Sequence, residues 1–322
     1  MIRSSSSQSV GAVPVATRAR LAQYRRLVSA WHIARGCAFS ILARASPELL
    51  GRLRFRAAWG RWPDFENPTT FDEKLLWLNL YWRHPLKTEC ADKYAVRGYA
   101  DRLGLGALLP RLYGVYDSAQ AIDFGSLPER YVLKCSHGCK CNLFCLGENG
   151  VDVAVARRSL ERWLRTDYSH MLGELHYRNM KPRIICEEYL DEGNGRLPTD
   201  YKVFCFGGRP TWILCYSGRD PNGKGQRSLV DIDWQPSAVL RSPDAQAPPP
   251  RLRTLPEILT AAEVLASPFP FVRIDFYSIG KRVVLGELTF TPNGCINVDY
   301  DQLEMGGRLL LPPPYPGHGA SA

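Results

Sequence analysis

The chain has 322 residues, a formal net charge of +9 and 11% aromatic residues, enough apolar material to bury a sizeable core in one large domain or two modest ones. The charge is uneven: residues 1–61 hold eleven arginines and one acid, a net of +10, so the remainder is close to −1. A near-neutral body excludes a nucleic-acid groove across the fold, and the basic arm suits an anionic membrane face, an acidic partner or plain solvation.

Residues 1–17, rich in Ser, Val and Ala, read as disordered, and residues 18–60 as a basic helical arm. Leu21, Tyr24, Leu27, Val28, Trp31 and Ile33 recur near helical spacing with arginines between them. Such a helix either makes a peripheral membrane contact or packs on its own domain with its arginines solvated. The first thirty residues lack the continuous apolar core of a signal peptide, and no stretch reaches the roughly 20 apolar residues that span a bilayer. The expectation is a cytoplasmic chain with reduced thiols. Cys135, Cys186, Cys205 and Cys215 lie in strand-like runs, where cysteine acts as a small hydrophobe.

The body is expected over 61–310. A turn-rich lead-in, Trp62 to Thr70, precedes a helix whose Thr70 and Glu73 have capping-box spacing. A second helix is expected over 89–103, which would put Lys93 and Arg97 on one face, either gripping phosphate or as ordinary surface charges. Arg130–Cys135 reads as a strand containing Lys134, one of only nine lysines in the chain, and a lysine in an apolar strand requires a partner. The polar loop 136–142 and a returning strand at 143–146 make a flap suited to covering phosphates with backbone N–H groups. Cys135, Cys139, Cys141 and Cys145 lack the paired spacing of a zinc site.

A helix over 152–165 begins at Asp152. Strands follow at 183–190 and 200–206, the second containing Lys202 among apolar residues. Gly207-Gly208 turns into a strand at 211–216, a hairpin pattern, and 217–227 reads as a mobile polar loop. Asp231-x-Asp233 fits either a metal and nucleotide-sugar site or the turn acids of a strand end. A Pro-rich loop at 242–251 and an amphipathic helix at 255–266 lead into Phe271–Gly294, two apolar β-runs joined by a turn at Ser278–Lys281. Each run carries one carboxylate, Asp275 and Glu287, which a hairpin can place side by side. Paired carboxylates in an apolar setting repel. Either magnesium resolves the conflict, with substrate phosphates completing its shell, or Arg273 or Arg282 neutralises one acid. The tail at 311–322 reads as disordered.

Cations, a metal-type acid pair and a flap are the parts of a nucleotide triphosphate site, yet the Walker and protein-kinase motifs are absent. The order of parts resembles the ATP-grasp fold and, more narrowly, the TupA-like ATP-grasp family associated with teichuronopeptide and surface-polysaccharide synthesis. The resemblance is carried by Pro68-x-x-Phe71-x-Glu73-Lys74, Asp92-Lys93-Tyr94-x-Val96-Arg97, Val132-x-Lys134-x-x-His137-Gly138 and Glu188-Tyr189-Leu190. It continues through Asp200-Tyr201-Lys202-x-Phe204-x-Phe206-x-Gly208, Arg273-x-Asp275-x-Tyr277 and Gly286-Glu287-Leu288-Thr289-Phe290, in family order over roughly 60–310.

The resemblance implies an α+β ATP-grasp fold, two subdomains gripping ATP between them. It implies that Lys93 and Lys134 reach ATP phosphates under the loop of His137 and Gly138. Glu187, Glu188, Tyr189 and Leu190 form the hinge against adenine, and Asp200 binds ribose. Lys202 reaches a phosphate, Arg273 stabilises a phosphorylated intermediate, and Asp275, Glu287 and Thr289 hold magnesium. Two positions depart from the pattern. Thr289 replaces a common asparagine, leaving Asn293 or a water to complete the metal shell, and Cys139, Lys140 and Cys141 stand where small residues are usual. The implied activity is an ATP-dependent carboxylate–amine ligase of cell-surface polysaccharide or peptide-polymer synthesis, with carboxylate- and amine-bearing small-molecule or glycan substrates and His137 or His176 as candidate bases. The alternatives are a sugar kinase on the same fold, a glycosyltransferase using Asp231 and Asp233, and a non-catalytic nucleotide-binding scaffold.

Overall fold

A computed structural model describes residues 36–139, 141–147, 151–192, 197–218 and 225–314. The expectations for residues 1–35, Lys140, the centre of the loop at 217–227 and the end of the tail lie outside the described residues. Among the described residues no helix is long and apolar enough to cross a membrane.

The chain is described from α1 (Gly36–Ala45), followed by α2 (Pro47–Trp59). Ser46 caps α2 by accepting from Leu49 N at 3.1 Å, Pro47 fits the first turn, and Gly60 ends the helix at φ 75°. This part of the expected arm belongs to the body. Leu50, Phe55 and Ala58 are buried, and Arg54 donates to Leu172 O at 2.9 Å and Gly294 O at 2.8 Å. Arg52 pairs with Glu48, Arg56 lies over Trp62, and Arg61 lies over Phe55 while bonding Glu73. These arginines are engaged within the fold, because the apolar stripe between them has a core to pack on.

The capping box at Thr70 and Glu73 starts α3 (Phe71–Tyr81). The expected helix over 89–103 is instead α4 (Pro85–Ala91) and α5 (Ala95–Arg102). Asp92 breaks it: its Oδ1 accepts from Tyr94 N at 2.7 Å and Ala95 N at 3.1 Å, a side-chain turn in place of a helix interior. Lys93 therefore sits in the turn and does not share a helix face with Arg97.

Two antiparallel sheets follow. The first has the order β1-β4-β2-β3, with β1 Leu112–Tyr116, β2 Arg130–Cys135, β3 Asn142–Leu146 and β4 Ile184–Glu188. Tyr131, Leu133 and Cys135 of β2 pack with Leu160 of α6 (Val153–Leu164), so Lys134, which alternates with them, points to the other face. Asp152 caps α6 as expected, accepting from Ala154 N and Val155 N. The short α7 (Ser169–Leu172) packs against α1.

The second sheet has the order β7-β6-β5-β8-β9, with β5 Asp200–Phe206, β6 Arg209–Ser217, β7 Gln226–Asp231, β8 Phe271–Ile279 and β9 Arg282–Thr289. Gly207 and Gly208, at φ 54° and 79°, supply the two positive-φ positions that a two-residue β5–β6 hairpin requires. Phe276 lies on the face turned to α8 (Leu255–Ala266), while Phe204 and Phe271 lie on the other face, where Phe271 meets Phe71 of α3, and each buried ring contributes about 1.5–3 kcal/mol. The last helix, α9 (Gln302–Arg308), lies against α3, its Gly306 and Leu309 carbonyls each accepting from Lys74 Nζ at 2.8 Å.

A bulge decides which face carries the second hairpin acid. Phe276 pairs with Leu285 but Asp275 pairs with Glu287, which leaves Gly286 as an extra residue. A regular strand would put Leu285 and Glu287 on one face. The bulge sends Val283 and Leu285 into the core and then turns Glu287 and Thr289 onto the face shared with Asp275. A Cβ at Gly286 would lie 3.0 Å from Asp275 O and from the Tyr277 ring, so the site of the bulge is shaped for glycine.

Candidate active site

The open faces of the two sheets hold two groups of charges, with the α4–α5 turn between them. On the second sheet Lys202, Asp275 and Glu287 form a single row across β5, β8 and β9. Lys202 Nζ lies 2.5 Å from Asp275 Oδ2 and 2.8 Å from Asp200 Oδ2. Arg273, two residues along β8 on the same face, donates from Nε to Asp275 Oδ1 at 2.7 Å and from Nη2 to Asp275 Oδ2 at 2.8 Å. The same Nη2 reaches Glu287 Oε1 at 3.3 Å and Thr289 Oγ1 at 3.1 Å, and Thr289 Oγ1 donates to Glu287 Oε1 at 3.0 Å. Arg282 instead forms a two-pronged pair with Glu188 of the other sheet.

Asp275 is 2% exposed. Burial alone would raise its carboxyl, but Arg273 and Lys202 outweigh that and hold it below the ordinary carboxylate range. Burial likewise opposes the charge on Lys202, and Asp275 and Asp200 keep that ammonium protonated. Glu287 is the more open acid, with a side chain 37% exposed and Oε2 3.8 Å from Lys93 Nζ.

On the first sheet Glu187 is the centre. It accepts from Lys134 Nζ at 2.9 Å and from Arg97 Nη1 at 3.1 Å, and Arg97 also donates to Pro110 O at 2.9 Å. Lys134 thus has the partner its apolar strand required. Lys93 donates to Gly138 O at 2.6 Å while approaching Glu287, so it links the loop of the first sheet to the acids of the second. Its backbone N–H donates to Ser136 O at 3.0 Å, and Ser136 Oγ meets Asp92 Oδ2, which pins the α4–α5 turn to the loop.

Gly138 lies flat on the Tyr168 ring: a Cβ there would come within 2.4 Å of ring carbons. His137 is not brought into the cleft. It is 5% exposed with its ring edge-on to Tyr168, centroids 5.3 Å apart, and burial keeps it neutral by lowering its pKa. His176 is also 5% exposed, packed on Tyr177 and Phe290, and burial holds it neutral. An apolar surrounding removes both as open bases. At the end of β4 Glu188 accepts from Arg111 N at 2.8 Å, and Tyr189 packs edge-on to Phe144 with Arg130 over its ring. Leu190 follows β4 and is partly buried.

Arg97, as the second holder of Glu187, and Tyr177 are the residues that sequence reading missed. Tyr177 packs between the cores of both sheets, and burial, with Glu174 and Glu287 nearby, pushes its phenol far above the usual value. Arg97 carries a motif that allows either a phosphate grip or a surface charge, and its partners are Glu187 and Pro110 O. Tyr177 lies in an irregular stretch with no periodicity to flag it.

Asp231 is a turn acid: its Oδ1 accepts from Asp233 N at 3.0 Å and Gln235 N at 2.8 Å. The cysteines from Cys90 to Cys295 form no disulfide, and no group of three or more His, Cys, Asp or Glu among the described residues is arranged for a metal. Asp275, Glu287 and the Thr289 hydroxyl are hard oxygen donors of the kind magnesium takes, but two carboxylates are too few for a cage. They fit an ion that arrives with phosphate oxygens and waters in its shell.

A family model described as TupA-like ATPgrasp matches residues 73–308. No curated protein sequence matches the chain. Among solved structures, D-alanine–D-alanine ligase from Bacillus anthracis aligns at 12% identity and TM-score 0.40, over 63% of this chain and 57% of that one. The D-alanine–D-alanine ligase from Helicobacter pylori aligns at 17% identity and TM-score 0.40, over 69% of this chain and 61% of that one. The alignments thus span less than two thirds of the length of both ligases. D-cycloserine synthetase DcsG aligns at 15% identity and TM-score 0.40, over 70% of this chain and 71% of that one.

Proposed function

The chain belongs to the TupA-like ATP-grasp family, and from that premise we propose that it is an ATP-dependent ligase joining a carboxylate to an amine. The observation that carries the reading is the row of Lys202, Asp275 and Glu287, topped by Arg273 and approached from the α4–α5 turn by Lys93. Five cations, Lys93, Arg97, Lys134, Lys202 and Arg273, converge on Glu187, Asp275 and Glu287. A triphosphate entering the cleft offers Lys93, Lys134 and Lys202 new oxygen partners in place of the carboxylates that hold them. Glu187–Leu190 would border the adenine and Asp200 the ribose. His137 serves the site indirectly, by packing the loop whose Gly138 carbonyl meets Lys93.

Asp275 and Glu287, with Thr289 fixing the Glu287 carboxylate, would hold magnesium together with the phosphates. The ion would supply charge neutralisation at the γ-phosphate. A substrate carboxylate oxygen then forms a bond to phosphorus as the bond from phosphorus to the β-phosphate oxygen breaks, releasing ADP. Arg273 sits where it can offer hydrogen bonds to the acyl phosphate. An amine lone pair attacks the acyl carbon, the carbon–oxygen bond to phosphate breaks, and the amine proton leaves. The family resemblance supports surface-polymer substrates, and the arginine count of the N-terminal arm supports a peripheral membrane contact.

Calorimetry of ATP binding, with and without magnesium, tests the site on the wild type, Lys134→Ala and Glu287→Gln. Magnesium-dependent binding weakened by both substitutions is expected. Binding indifferent to both would overturn the site, and ADP release without an acid and an amine both present would overturn the ligase reading.

A further inference from the structure

On the side of the first sheet away from Lys134, α6 carries Arg157, Arg158, Arg162 and Arg165 along a slot of about 390 Å³, completed by Gln120 and Glu161. Four guanidinium groups and one carboxylate give this slot a net charge of +3. The carboxylate is already engaged, since Glu161 Oε1 accepts from Ala119 N at 2.9 Å. Arg157 is recessed: it donates to Ile122 O at 3.2 Å, lies 5.7 Å from the Phe124 ring centre, and its Nε is buried with no hydrogen-bond partner. Among the described residues Arg158, Arg162 and Arg165 have no carboxylate at ion-pair distance. By contrast Arg97, Arg130, Arg273 and Arg282 are each paired with a carboxylate. Like charges gathered in excess of their counter-charge cost free energy unless an anion joins them.

The spacing limits the anion. Arg157 and Arg165 are eight residues apart, about 12 Å along the helix axis, and Arg158 and Arg162 are one turn, about 6 Å, apart. One phosphate or carboxylate is too small to meet all four. A flat membrane surface engages protruding side chains and does not reach a recessed Arg157. We propose that this slot binds a linear polyanion whose negative groups recur about once per helical turn. The slot lies on the opposite face of the sheet from the cleft, so the proposal stands whichever substrates the cleft takes.

The test is binding to the full chain, without nucleotide, of polygalacturonate oligomers, with linear polyphosphate of matched length to separate carboxylate from phosphate as the preferred group. Binding that weakens with salt is expected, falling about tenfold in the Arg158→Gln, Arg162→Gln double variant. Glu161→Gln removes the acid but keeps the oxygen that accepts from Ala119, and it should tighten binding, a gain that damage to the fold would not produce. ATP binding should be unchanged in all three proteins. Equal binding by wild type and double variant, equal binding of neutral dextran, or binding to anionic phospholipid vesicles without binding to either polymer would overturn the proposal.

Discussion

The two hairpin acids do different work although each comes from one apolar strand. Asp275 is closed off, with Arg273 and Lys202 on its oxygens, while Glu287 is half open. Removing one member of a buried ion network leaves uncompensated charge and costs about 3–5 kcal/mol. Asp275→Asn should therefore destabilise by about 3 kcal/mol as well as abolish turnover, whereas Glu287→Gln should abolish turnover with a loss under about 1 kcal/mol. Urea unfolding midpoints check the contrast, and equal losses would contradict it. Lys87 gives a pH signature. It is 4% exposed and donates only to the carbonyls of Leu78 and Trp82, and burial lowers its pKa to about 8. Between about pH 8 and 10.5 the unfolded chain then binds the extra proton, so stability rises with pH through that window, by about 3 kcal/mol from this group. Lys87→Met should lack the rise when unfolding is followed from pH 7 to pH 11.

At the scale of elements, the phosphate-type turn owes its position to a helix and a ring. Gly138 rests on Tyr168, and a methyl group there would overlap the ring. Gly138→Ala should lift the turn, move the carbonyl that Lys93 holds and weaken ATP binding about tenfold. Tyr168→Ala in the same chain should restore part of it, a coupling of about 1 kcal/mol in a double-mutant cycle. Additive effects would mean that the glycine serves only backbone freedom. The sequence shows strands and caps well where the pattern is local: the Thr70 capping box, the Asp152 cap, the Gly207-Gly208 hairpin and the pairing of Asp275 with Glu287 were all readable. It hid two features that depend on competition. Asp92 had helical neighbours on both sides, and only its side-chain bonds to Tyr94 and Ala95 reveal a break. The bulge at Gly286 was masked because Leu285 and Glu287 look like partners on one face by simple alternation. Ion pairing was the least legible: nothing in the residue order says that Arg273 takes Asp275 while Arg282 crosses to Glu188.

The whole molecule is two sheets held around a cleft by few charged links, chiefly Arg282 with Glu188 and Lys93 between Gly138 and Glu287. A ligand that binds both faces adds its binding free energy to that link, and one at a hundredfold excess over its Kd stabilises by about 2.7 kcal/mol. ATP with magnesium should accordingly raise the melting temperature of the wild type as a single cooperative transition. Magnesium alone should not, because Asp275 is already satisfied by cations and Glu287 by itself makes a poor site for the ion. Lys134→Ala and Glu287→Gln lie on different sheets, yet each should remove most of the shift, since each deletes one side of the grip. Scanning calorimetry of the three proteins, with nucleotide and metal added separately and together, distinguishes a grip from two independent sites. A shift with magnesium alone, or a shift that survives either substitution, would show that the faces do not act on one ligand.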